Sequence, residues 1–107
     1  MENQKIAEIL LKIQMDDLKD AEKLTDYAEE VRELGDVSIA SALTSRAKMR
    51  LNNMVECENS IKSVMQRVHD EMASHGEKFD ENAIYHELYK KHISHVSEKI
   101  RHRLNTM

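Results

Sequence analysis

Apolar residues recur along this chain at alternating spacings of three and four, the period of a helix that buries one stripe. From about Asn3 to Leu34 the stripe reads Ile6, Leu10, Ile13, Leu24, Tyr27, Val31 and Leu34. From Val37 to about Ser74 it reads Ala40, Leu43, Ala47, Met54, Cys57, Ile61, Val64, Val68 and Met72. A third stretch, from about Glu81 to Asn105, carries Tyr85, Tyr89, Ile93, Val96, Ile100 and Leu104. There is no proline, and the two glycines, Gly35 and Gly76, fall in the gaps between the stretches. Gly35 can take the left-handed conformation that ends a helix, and Asp36 after it is a good N-cap for the next. At the second junction Gly76 is the stop, Asp80 the N-cap and Phe79 the staple residue. The pattern predicts an all-α fold, with three long helices over about 3–34, 37–74 and 81–105 in one domain spanning 1–107. The short junctions turn each helix antiparallel to the one before, as in a bundle.

The stripes have one interruption. Continuing the first past Ile13 lands on Asp17 and Asp20, and continuing the second past Ala47 lands on Arg50, with Asn53 beside it. A hairpin turning at Gly35 and Asp36 brings together residues whose numbers add to about 70. That sets Asp20 against Arg50 and Asp17 against Asn53, at one level of the hairpin. A buried carboxylate is costly alone and can be satisfied by a guanidinium. The expectation is an Asp20–Arg50 ion pair, with Asp17 and Asn53 in a structural polar network. The alternative places Leu18 and Ala21 in the core and leaves the charges solvated.

The stretch from Asp16 to Met54 resembles the first helical hairpin of ferritin-like proteins of the rubrerythrin type. The shared features are a carboxylate seven residues before a tyrosine (Asp20, Tyr27), a glycine turn, the Ile39–Ala40 pair and Ala47 before the ligand region. The family's Glu-x-x-His metal motif would fall on Arg50 and Asn53. Arginine stays protonated and cannot ligate a metal. A ferritin-like fold also has four helices and a long crossover after the second. The resemblance therefore implies a hairpin that lost its metal and placed a guanidinium where the ion had been, without di-iron chemistry there.

Composition narrows the function classes. The formal net charge is -4, with both signs interspersed, which argues against nucleic acid as a partner. No apolar run approaches the roughly 18 residues of a membrane span, and no signal-peptide pattern opens the chain. The single cysteine, Cys57, cannot pair internally, so a reducing cytoplasm is the expected compartment. Its place among Met54 and Ile61 reads as a small buried hydrophobe rather than a nucleophile. No Ser/His/Asp arrangement or glycine-rich phosphate loop is visible. Of six histidines, His86, His92, His95 and His102 lie on the third segment. His95, Glu98 and His102 share one helical stripe, the pattern of a transition-metal site or of a solvent-facing rim, and the rim is the expected reading. His92, nearer the apolar face, reads as packed or interfacial. His69 and His75 flank the end of the second helix, where cations suit the dipole.

The expected protein is a cytoplasmic, non-catalytic structural or interaction module without cofactor, forming a homodimer. The third helix is expected to leave the seam from Leu24 to Leu43 uncovered, for a two-fold copy to fill. The alternative is a degenerate ferritin-like metal-binding or redox protein, with ligands on the third helix or at a subunit interface. A further possibility is a Met-lined groove for another protein's helix.

Overall fold

A computed structural model describes residues 2–74, 76 and 80–107, with side chains for 2–3, 5–74 and 91–107. Three helices account for them: α1 (Glu2–Glu33), α2 (Val37–Ser74) and α3 (Asp80–Thr106), with no strand among the described residues. Their bounds lie within a residue of those expected from the apolar pattern. The molecule is a thin rod, 61 × 18 × 15 Å. No described helix is long and apolar enough to cross a membrane.

The first turn works as the sequence implies. Gly35 has φ +96°, and its N–H donates to the carbonyl of Arg32 while that of Asp36 donates to Val31. This is the Schellman closure, in which a glycine satisfies the last carbonyls of a helix. The Asp36 carboxylate then accepts from the N–H of Ile39 at 3.1 Å, capping α2. Gly76, with φ +70°, ends α2 in the same left-handed region. Phe79 and the side chains of Asp80, Tyr85, His86 and Tyr89, like His75, lie outside the described residues.

The buried face of α1 is turned by one residue from the expected one, and its pairing with α2 is shifted by two to three residues. The buried seam is Ala7, Leu11, Gln14, Leu18, Ala21, Thr25 and Ala28, facing Ala40, Ala47, Leu51, Met54, Ile61, Val64 and Val68. Ile6, Ile13, Tyr27 and Leu34, expected in the core, are exposed. Two stripes run side by side on α1, and the one with smaller residues faces α2. Alanines let the backbones approach closely, and in this register Leu18 and Ala21 fill the level where two aspartates would otherwise be desolvated. The two polar groups in the seam are both satisfied. Gln14 donates to the Met54 carbonyl at 3.0 Å, and the Thr25 hydroxyl to the Ala21 carbonyl at 2.7 Å.

On α2 the expected stripe holds at Ala40, Ala47, Met54, Ile61, Val64 and Val68, while Leu51 rather than Arg50 enters the core. Contacts across the hairpin pair Asn3 with Glu71, Leu10 with Cys57, Gln14 with Met54 and Asp17 with Arg50. Residue numbers thus fall on α2 as they rise on α1. Around the middle of the rod they add to 67 or 68, not 70.

The third helix lies where it was not expected. Its Ile93, Ile100 and Leu104 join Leu18, Ala21, Ala47, Leu51 and Met54 in one core cluster, with Leu24, Val96 and Met107 packed against it. Arg103 clamps α1 near the Gly35 turn, donating to Glu29 at 2.9 and 3.1 Å and to Asp26 at 2.6 Å. The end of α3 thus covers one flank of the seam from Leu24 to Leu43, so that seam is not short of a layer. The two acidic partners hold the guanidinium's pKa above its ordinary value. His92, expected to be packed or interfacial, is exposed and so not packed within the chain.

Two outcomes test this packing. Leu51, 1% exposed, has no room to collapse, so Leu51→Ala lowers unfolding free energy in urea by about 2–5 kcal/mol. Arg103→Ala costs about 1 kcal/mol, less in molar salt, and Arg103→Lys recovers under half because an ammonium cannot fork across two carboxylates.

Candidate functional site

At 100° per residue, Asp26 and Glu29 place α3 on one flank of α1, and the stripe Ile6, Leu10, Ile13, Leu24, Tyr27 and Val31 lies on the other. The polar residues singled out in the sequence sit midway along this second flank. Asp20, Arg50 and Asn53 line one open groove of about 540 Å³ between α1 and α2, together with Lys23, Leu24, Tyr27, Arg46 and Met49. Asp17 lies at its inner edge, 3.9 Å from the Arg50 guanidinium. The structure therefore brings the four predicted residues to one place, in a different pairing.

Asp20 is exposed and makes no ion pair with Arg50 within the chain. With hairpin contacts adding to 67, Asp17 is the residue level with Arg50, and Asp20 is level with Ala47. The Asp17 side chain is 14% exposed and that of Arg50 48%. At that distance and exposure the attraction is weak, because water screens the guanidinium. Burial wins: it pushes the Asp17 carboxyl above its ordinary 3.8, against the pull of Arg50 and helped by Asp20 and Asp16. The charges are neither a buried pair nor fully solvated. They form a half-buried polar belt across an otherwise apolar flank.

Cys57 sits one step along the same flank. Its thiol donates to the Leu10 carbonyl at 3.5 Å, and burial, then the Asp17 charge, push its pKa up. A protonated, partly buried thiol is a poor nucleophile. His95, Glu98 and His102 are exposed along α3. Among the described residues no group of three His, Cys, Asp or Glu is arranged to hold a metal ion. His69 lies 3.8 Å from Asp70, both exposed, near the end of α2. A second, smaller cleft of about 250 Å³ opens near the Gly35 turn between Arg32, Lys48, Leu104 and Met107.

This flank also exposes large apolar residues. Ile9 and Tyr27 are each 55% exposed and Met49 is 63% exposed, with Ile6 and Ile13 in line with them. The Arg103 clamp was not foreseen. The spacing of Asp26 and Glu29 signals a cation-binding face, but only the placement of α3 says which cation meets it. No protein-family model, curated protein or solved structure matches the chain.

The Asp17 environment sets a pH dependence. The folded state holds this proton more tightly than the unfolded chain, so the ionised carboxylate costs stability above the ordinary aspartate range. Below about 3.8 both states are protonated and the cost vanishes. Asp17→Asn is expected to raise the melting midpoint at neutral pH, with the gain fading as melts are repeated toward about pH 3.

Proposed function

We propose that this protein is a non-catalytic helical module that acts through its α1–α2 flank and assembles as a homodimer. The observation that carries the reading is the row of exposed Ile6, Ile9, Ile13 and Tyr27 beside exposed Met49. Exposed apolar residues grouped on one flank of a small protein, here on either side of a charged belt, mark an interaction face. Further support comes from the shape. A rod 18 × 15 Å in section has little interior per residue, and a second hairpin laid on the flank supplies the missing layer of an antiparallel four-helix arrangement. The surface covered differs from the one expected from the sequence, since α3 takes the opposite flank.

The lone, protonated Cys57 fits a reducing cytoplasm. The ferritin-like resemblance is compatible with this reading: a guanidinium and carboxylates occupy the position of the family's ligands, and the hairpin is kept as an assembly element.

Light scattering of untagged protein at micromolar concentration is expected to give twice the chain mass of 12.5 kDa, with no stoichiometric iron, manganese or zinc by elemental analysis. A monomer at all accessible concentrations sinks the self-assembly reading. Stoichiometric metal would favour a metal-binding protein with ligands on α3 or between subunits.

A further inference from the structure

The flank stripe on α1, exposed at Ile6, Ile13 and Tyr27 and partly buried at Leu10, Leu24 and Val31, reads the same from either end. Ile6, Leu10 and Ile13 precede the aspartates; Leu24, Tyr27 and Val31 follow them. Their numbers pair to a constant 37: 6 with 31, 10 with 27, 13 with 24, and 17 with 20. The centre of this palindrome lies between Asp17 and Asp20, at the polar belt and close to the middle of α1 (Glu2–Glu33).

A surface that meets its own copy across a two-fold axis must contain its own complement. This one does, in both shape and charge. Turning the flank end over end about the belt lays Ile13 on Leu24, Leu10 on Tyr27 and Ile6 on Val31 of the partner subunit. It also brings Asp20 of the partner subunit level with Asp17. Arg50 stands 3.9 Å from Asp17 and half exposed, so it then faces two carboxylates, one from each chain. Lys23 and Arg46, on the same groove as Asp20 and Arg50, balance the remaining acid.

Resting on the self-assembly reading above, we infer that two copies pair end over end through the α1–α2 flank, about a two-fold axis at the Asp17–Asp20–Arg50 belt, with Arg50 bound to Asp20 of the partner subunit. The size is adequate. At about 1.5 Å per residue the stripe from Ile6 to Val31 is about 38 Å long, and on a face 15–18 Å wide it offers on the order of 600 Å² per copy. Standard specific interfaces bury about 800 Å² per partner. The apolar arms supply the burial, and the belt supplies the register. Sliding by one helical turn would bring carboxylates against isoleucines and leave the guanidinium unpaired, which specific interfaces avoid.

The test measures direction and charge separately. Spin labels go on Lys5→Cys or Glu30→Cys, exposed positions off the stripe, in a Cys57→Ala background. End-over-end pairing puts like labels about 40 Å apart for position 5 and about 35 Å for position 30 along the axis, whereas side-by-side parallel pairing leaves both under about 20 Å. In parallel, Arg50→Glu and Asp20→Arg are each made in the full chain and checked by circular dichroism. Each alone is expected to weaken the dimer roughly tenfold or more, and an equimolar mixture to restore it as a heterodimer. A monomeric wild-type chain ends the self-assembly reading itself. A wild-type dimer with short separations at both labels, or an Arg50→Glu chain that dimerises as tightly as wild type, keeps that reading and overturns this inference.

Discussion

The close approach of α1 and α2 along a seam of alanines is the constraint on which the rest of the molecule depends. Ala7, Ala21 and Ala28 from one helix and Ala40 and Ala47 from the other are buried there beside Leu11, Leu18, Leu51 and Met54. Dispersion contacts reward that proximity, since packed interiors approach crystalline density. Once that stripe of α1 is committed to the seam, Ile6, Ile13 and Tyr27 are displaced to a flank. One flank is closed by α3. The other is left with isoleucines, a tyrosine and a belt of charge.

The same choice explains how polar groups are tolerated inside so thin a rod. Thr25 bonds back to its own helix, as hydroxyls in helices commonly do. Gln14 reaches instead across to the Met54 carbonyl, tying the two helices at one level. Apolar contacts alone would permit a slip by a turn, and a cross-helix amide bond makes such a slip cost an unsatisfied buried group. Asp17, at the edge of the seam, is a charge that burial works against. Its retention there is easier to understand as part of a surface than as part of a core.

Much of this was legible in the chain, for physical reasons that differ by element. Helix boundaries were readable because Gly35 and Asp36 perform local tasks that depend on nothing distant. The α2 stripe was readable because Ala40 through Val68 offers one apolar face. The α1 stripe was misjudged because two faces compete there, and larger side chains such as Ile6 and Tyr27 suggest burial more strongly than Ala7 and Ala28. Burial follows the facing surface, and in this register the smaller α1 stripe is the one that meets Ala40, Ala47 and Leu51. The Asp20–Arg50 pairing failed separately, because contacts across the hairpin add to 67 or 68 rather than 70 and set Asp17 level with Arg50. The seat of α3 was not legible, because a helix of its length can return along either flank.

The Arg103 clamp has a kinetic consequence. Its bonds to Glu29 and Asp26 span 74 and 77 residues of chain, whereas α1 and α2 meet across a turn of three. Closing a long loop costs more entropy than closing a short one, and contacts of large sequence separation form late. The hairpin is thus the early-forming unit and the docking of α3 the slow step. During that interval both flanks of the hairpin are bare, including the one that α3 comes to cover. A sister chain that reached the wrong flank first would exchange its third helix with its neighbour. Charges on that side, Asp26 and Glu29 among them, repel an unaccompanied copy until Arg103 bonds to both.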